Sequence, residues 1–261
     1  MGETTNLCIV TAVDVEFKIG AGLLSGKSFS EEPPMKICRG FFGARRITVL
    51  QSEMGAVGFA ERLAKHLANN RYDALIVVGL AGGLDPKLRA GDAVLYDLCY
   101  DARATEFGRL EQPAHEKAAV IASDDAWSDF LFEALTKSDL PFVRAPGITV
   151  NRIITEAKDK LTLGARYGAA AVDMETYEAL IACARLDLPA ATLRVISDEA
   201  GLDLPDFNLA YDANGRMNCW VNAWRMAVAM IARPFAAFRF LLSVRRALKS
   251  LRENLQAALS A

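Results

Sequence analysis

Two hydrophobic patterns alternate along this chain, and that alternation constrains its fold more than any other feature. Leu7–Val13, Ile47–Ser52, Ala74–Gly79, Ala93–Tyr96 and Ala190–Ile196 are short and almost continuously apolar. Such runs predict strands covered on both faces. Between them, Val57–Asn69, Asp125–Lys137, Glu156–Tyr167 and Glu175–Leu186 carry apolar residues at helical spacing. Ser123-Asp124-Asp125 supplies an N-terminal cap for the helix that follows it. The expected fold is α/β: one domain, a central mixed or mostly parallel β-sheet and flanking helices.

Length and composition agree with a single packed domain. The chain has 261 residues, 52% of them hydrophobic, enough for one substantial core. A net charge of −2 argues against a nucleic-acid partner. Cys8, Cys38, Cys99, Cys183 and Cys219 are scattered, odd in number and without a CxxC pair, and the histidines are His66 and His115. Neither a disulfide framework nor a zinc site is expected. No secretion signal and no apolar stretch of spanning length are read from the sequence, so a cytoplasmic protein is expected.

Several residues are unnecessary for such a fold. Asp173 and Glu175 bracket Met174 at the start of a helical pattern, and Ser197-Asp198 ends an apolar strand. Taken alone, Glu175 also reads as a first-turn acid stabilised by the helix dipole, Asp198 as a helix cap and Met174 as core. Gly79-Leu80-Ala81-Gly82-Gly83 follows the strand Leu75–Val78 and allows close approach of a ligand to the backbone; alone it is also a tight turn. Neither GxGxxG nor GxxxxGK[ST] occurs, so no dinucleotide or P-loop site is predicted and no cofactor is expected.

Together these segments resemble the nucleoside phosphorylase and nucleosidase superfamily. Gly79–Gly83 with Ala90-Gly91-Asp92 is similar to its AGG…GD motif, Val172–Glu175 to its VEME motif and Leu193–Asp198 to its R-x-ISD motif. Val13-Asp14-Val15-Glu16 resembles the acidic segment after the first strand in the 5′-methylthioadenosine/S-adenosylhomocysteine nucleosidase branch. The resemblance covers roughly residues 6–200. It implies cleavage of a purine N-glycosidic bond by an enzyme that assembles as a dimer or larger homo-oligomer. Asp198 would be the general acid at purine N7, and Glu175 would hold the ribose hydroxyls. Met174 would lie beneath the sugar. Asp173, Ser197, Gly79, Leu80, Ala81, Gly82, Ile153 and Arg194 would complete the substrate-binding residues. Asp173 stands where the family has glutamate, Thr176 where a small residue is usual, and no Phe follows Ile153 to stack on a base.

The nucleophile divides the branches. In the nucleosidases, the glutamate corresponding to Glu16 activates water; read alone, Glu16 is also a solvated loop acid. Phosphorylases gather arginines and a Ser or Thr around phosphate. Here Leu80 occupies the position often taken by Ser or Thr, and Val77-Val78 precede Gly79. Hydrolysis is favoured, while Arg39, Arg45, Arg46 and Arg194 keep phosphate open as co-substrate. A nucleoside- or lipid-binding protein without turnover is the non-enzymatic alternative.

The tail differs in character. Residues 1–206 form the expected catalytic unit and 207–261 a helical extension packed on it. From Gly215 onward Glu253 alone faces eight Arg and Lys. Asn218–Ala232 and Pro234–Leu259 are predicted helices separated at Arg233-Pro234. In the second, Phe235, Phe238, Leu241, Leu242, Leu248, Leu251 and Leu255 alternate with arginines, giving a basic amphipathic helix. Leu204-Pro205, Asn214-Gly215-Arg216 and this helix resemble the hopanoid-associated phosphorylases, a subfamily linked to removal of adenine from adenosylhopane. That resemblance implies a 5′-substituted adenosine as substrate. The helix can meet an anionic membrane surface, or pack its stripe on the domain or a partner subunit.

Overall fold

Strand β5 (Ala74–Gly83) organises the structure, a computed structural model that describes residues 5–33, 35–52, 58–104, 118–204, 228 and 234–261. Its first half is Leu-Ile-Val-Val, buried on both faces, and it pairs in parallel with β1 (Asn6–Thr11) on one edge and β12 (Ala190–Asp198) on the other. β4 (Arg45–Gln51) continues the sheet beyond β1, also in parallel, followed by the antiparallel ribbon of β3 (Met35–Phe42) and β2 (Ser25–Glu32). At its carboxyl end β5 changes partner: Gly82 and Gly83 pair with β11 (Ala171–Asp173), antiparallel. β10 (Gly147–Thr149), β7 (Leu98–Asp101) and β8 (Val120–Ala122) extend that side, while β6 (Ala93–Leu95) and β9 (Phe142–Arg144) add to β12. The sheet is mixed, as expected. Twelve strands form among the described residues, against five read from sequence.

Helices cover both faces. α2 (Phe59–Asn69) and α5 (Thr176–Ala184) pack Phe59, Leu63, Leu180 and Cys183 on one face. On the other lie α1 (Asp14–Gly22), α3 (Asp125–Ser138) and α6 (Pro234–Ser260), contributing Phe17, Leu131, Leu135, Leu251 and Leu255. α4 (Ala157–Tyr167) closes a third cluster around Leu163, Ile148 and Val172. The predicted cap is present: Asp124 accepts from the Trp127 N–H at 2.9 Å. α1 has no counterpart among the helices read from sequence, and Asn218–Ala232, apart from residue 228, lies outside the described residues.

The apolar stripe of α6 splits in two. Leu251 and Leu255 are buried against β12, α3 and α1, with Ala247, Ala258 and Leu259. Phe238, Leu241 and Leu242 remain exposed, at 55%, 43% and 49%. The second half of α6 is therefore core, and its first half presents apolar surface.

Candidate active site

The partner change of β5 opens a cavity. β1 pairs with β5 only as far as Val77, and β11 takes over the same edge at Gly82. Side chains from the end of β1, from β11 and from the end of β12 converge on the gap, a topological switch point at the carboxyl ends of parallel strands. The cavity measures about 290 Å³, near the small end of ligand pockets (~300–1,000 Å³).

Glu16 reaches it from the first turn of α1. It is buried, contrary to the solvated-loop alternative, at 3% exposure. Oε2 accepts from the N–H groups of Ala12 (3.0 Å) and Val13 (3.2 Å), and Oε1 from Leu80 N–H at 2.8 Å. The bond to Val13 also closes the amino end of α1. Burial raises the Glu16 pKa above its usual value, opposed by the Arg194 charge and these three N–H donors.

Glu175 and Asp173 are set by α5. Glu175 is the N-cap residue of that helix and is buried at the cavity wall. Asp173 borders the cavity, but both its oxygens are committed. Oδ1 accepts from Thr149 Oγ1 (2.8 Å) and from the N–H groups of Glu175 (3.1 Å) and Thr176 (3.0 Å); Oδ2 accepts from Thr176 Oγ1. Its geometry fixes the backbone that carries Glu175.

Asp198 depends on an irregularity. β12 runs beside β5 with Arg194 opposite Gly79, Val195 opposite Leu80 and Ile196 opposite Ala81, then slips, so that Asp198 pairs with Gly82. This bulge re-aims the strand end, as bulges near sites commonly do. It brings Ser197 and Asp198 both to the cavity. Ser197 Oγ donates to Asp198 Oδ1 (2.6 Å) or to Ala81 O (3.1 Å). Gly82 sits in a tight place: a Cβ there would lie 3.1 Å from Val172 Cγ1 and 3.4 Å from Asp198 Oδ2, so those side chains would have to give way slightly.

Arg194 and Gly79, read from sequence as substrate-binding, stand behind the cavity rather than on its wall. Arg194 is 1% exposed. Its guanidinium donates twice to Thr176 Oγ1 and pairs with Asp173 (3.2 Å) and Glu175 (3.5 Å). Burial alone would lower the Arg194 pKa; Asp173, Glu175 and Glu16 outweigh it and raise it. Gly79 makes room for this cluster, since a Cβ would lie 2.5 Å from Arg194 Nη1 and 2.9 Å from Glu16 Oε1.

The remaining arginines that could have met phosphate lie elsewhere. Arg39 and Arg46 line a separate groove with Arg71, and Arg45 donates to Leu259 O. Among the described residues, no group of His, Cys, Asp and Glu is arranged to hold a metal ion. The site acids are instead paired with Arg194 and Lys160.

A family model described as the phosphorylase superfamily matches residues 6–217. The chain belongs to the phosphorylase superfamily. It is an enzyme of N-glycosidic bond cleavage, in keeping with its similarity to curated nucleosidases. It is 25% identical over 232 residues to a 5′-methylthioadenosine/S-adenosylhomocysteine nucleosidase of Halalkalibacterium halodurans, covering 88% of this chain and 99% of that one. Among solved structures, the corresponding nucleosidase of Colwellia psychrerythraea, in complex with adenine, superposes with a TM-score of 0.73 at 18% identity, covering 99% of this chain and 96% of that chain. Futalosine hydrolase of Helicobacter pylori gives 0.65 at 18% identity, covering 93% and 97%. These two likenesses show the shared fold, and the first spans the region of α6.

Of the superfamily residues read from sequence, Glu16, Met174, Glu175, Ser197, Asp198, Leu80, Ala81, Gly82, Ile153 and Asp173 meet at the cavity. Sequence reasoning missed Lys160, Arg152, Phe240 and Val244. Lys160 carried a signal: with Leu163 and Gly164 it occupies the buried i, i+3, i+4 face of α4, where a lysine needs a partner. Phe240 and Val244 line the cavity from α6, nearly ninety residues from Ile153, and left no local trace.

Proposed function

We propose that this enzyme hydrolyses the N-glycosidic bond of a 5′-substituted adenosine and releases adenine. The observation that carries this reading is Glu16, a buried carboxylate at the cavity with its oxygens tied to Ala12, Val13 and Leu80. With Asp198 carrying the proton it will donate, Glu16, Asp173 and Glu175 still outnumber the two buried cations among the described residues, Arg194 and Lys160. Such a field disfavours inorganic phosphate and favours an oxocarbenium-like transition state. Arg152 also borders the cavity, from the segment after β10 rather than from the β5 turn that carries Leu80.

The residues then divide the reaction. Glu175 accepts from the ribose hydroxyls and opposes the positive charge growing at C1′. Asp198 gives its proton to purine N7, so the C1′–N9 bond breaks with its electron pair leaving on neutral adenine. Glu16 takes a proton from water as the water oxygen bonds to C1′. Ala81 and Gly82 let the nucleoside approach the β5 backbone, and Met174 and Ile153 supply apolar contact.

Incubation with 5′-methylthioadenosine, adenosine and adenosylhopane, with and without phosphate, tests this by chromatography. Adenine and a free reducing sugar are expected in both buffers. Adenine release that requires phosphate, with ribose 1-phosphate as co-product, would establish the phosphorylase alternative.

The 5′-substituent is proposed to be apolar, with adenosylhopane as the candidate. Leu204, Phe240 and Val244 give one part of the cavity an apolar lining. The exposed Phe238, Leu241 and Leu242 lie on the same stretch of α6, beside exposed Arg239, Arg245 and Arg246. A lipid-linked nucleoside resides at a bilayer, and this surface suits an anionic one. No helix among the described residues is long and apolar enough to cross a membrane. Deleting α6 would remove core residues, so the test is Phe238→Ser with Leu242→Ser. The pair should abolish flotation with anionic liposomes while leaving adenine release from 5′-methylthioadenosine intact. Undiminished flotation would remove this surface from the proposal.

A further inference from the structure

We propose that Lys160 is the positioning residue for the acid of this reaction: it holds the Asp198 carboxyl in place and stabilises the anion that Asp198 becomes when its proton passes to the base. The inference rests on the hydrolase reading above and adds a residue that the family motifs do not contain.

Lys160 projects from α4 and its side chain is 1% exposed. Nζ lies 2.5 Å from Asp198 Oδ2. It also donates to Leu202 O at 3.0 Å and Glu199 O at 3.4 Å. All three ammonium hydrogens are thus directed, two of them at carbonyls of the segment just beyond β12. The cation is anchored independently of the charge on Asp198. A buried ammonium is costly, and α4 gives up an apolar position to place it here.

The other carboxyl oxygen is handled differently. Oδ1 meets Ser197 Oγ, whose single hydrogen serves either Asp198 or Ala81 O. Lys160 therefore fixes the carboxyl through Oδ2, while the Ser197 hydroxyl can turn as Asp198 changes protonation. In the chemical step the Asp198 O–H bond breaks and an N7–H bond forms. The pair from C1′–N9 leaves on adenine, and Lys160 keeps its three protons throughout. Negative charge appears on Asp198 only as the proton departs. A fixed cation at 2.5 Å favours that charge most in the transition state, which is the requirement for lowering a barrier.

A purely structural tether between α4 and β12 would affect every substrate alike. Proton delivery would not, because 4-nitrophenyl β-D-ribofuranoside expels a stable phenolate that needs no proton. Lys160→Met is expected to lower kcat for adenine release from 5′-methylthioadenosine by about 100-fold, the scale of acid catalysis. The nitrophenyl riboside should lose less than about threefold, and Lys160→Arg should restore part of the adenine rate. Equal losses on the two substrates, or an unchanged adenine rate, would overturn the inference. Should Lys160→Met fold poorly because the buried Asp198 carboxyl has lost its partner, the same substitution in an Asp198→Asn background removes that carboxyl. There the loss of Lys160 should cost nothing further in adenine release; an additive loss would overturn the proposal. Absence of adenine from the unaltered enzyme is read separately, and would sink the hydrolase reading on which this one depends.

Discussion

Glu16→Gln is expected to cut kcat by about 10³-fold while changing KM little, as removal of a general base should. Glutamine keeps the volume but offers a single acceptor oxygen. Glu16 uses two, one for Ala12 and Val13 and the other for Leu80, so the amide NH₂ must face a backbone donor or turn toward the cavity. Either way no proton can be taken from water. The pH dependence carries a sign. Burial raises the Glu16 pKa above 4.5, and the base works only when ionised. kcat/KM should therefore fall as pH drops through a value above that of an ordinary glutamate. Stability moves oppositely. A carboxyl whose pKa is raised on folding contributes stability that is fully present below its unfolded value and lost as pH rises through its folded one. The enzyme thus accepts a cost near neutral pH in exchange for a working base. The pH–rate profile and thermal melting of both proteins check this. A variant that retained the wild-type acid limb would show that another group is the base.

What could be read from the sequence follows from what burial does to composition. β1, β4, β5 and β12 lie at the centre of the sheet, and their continuous Val, Ile, Leu and Ala made them visible. β2 was invisible because Ser25–Glu32 is exposed along its whole length and carries no apolar pattern. β8, β9, β10 and β11 are three residues each, too short to show a period, whereas β6, equally short, was visible as the apolar run Ala93–Tyr96. α1 was missed because its buried face includes the charged Glu16 beside Phe17, Gly20 and Ala21. The same logic runs through the site. Glu175 and Asp198 stand out as acids in apolar surroundings, and Glu16 through the resemblance of Val13–Glu16 to the nucleosidase segment. Arg194 stands out equally and reads as a ligand-binding residue, because nothing local to β12 shows that Asp173, Glu175 and Thr176 enclose it. The slip after Ile196 is likewise a property of strand pairing, with no residue type to announce it.

Arg194→Met should be more destabilising than any change to the site acids, by about 3–5 kcal/mol, the cost of breaking a buried ion pair from one side. For a domain of this size that lowers Tm on the order of 10 °C. Methionine fills much of the space but leaves Asp173 and Glu175 without their shared cation and Thr176 Oγ1 without its two donors. It also removes the strongest influence opposing burial at Glu16, whose pKa then rises further. The base would stay protonated up to a higher pH, so residual turnover should need a higher pH than in the unaltered enzyme. The stability deficit should move the other way and narrow as pH falls, because protonation neutralises acids that have lost their partner. A lysine in place of this arginine cannot substitute fully, since an ammonium lacks the planar fork that meets two acids and a hydroxyl at once. Arg194→Lys should therefore fold better than Arg194→Met and still lose activity. One guanidinium makes it possible for three carboxylates, Glu16, Asp173 and Glu175, to share a buried site at the cavity. A fully stable, fully active Arg194→Met would mean that these acids are neutral in the folded protein, and the electrostatic basis for hydrolysis at this site would fall with it.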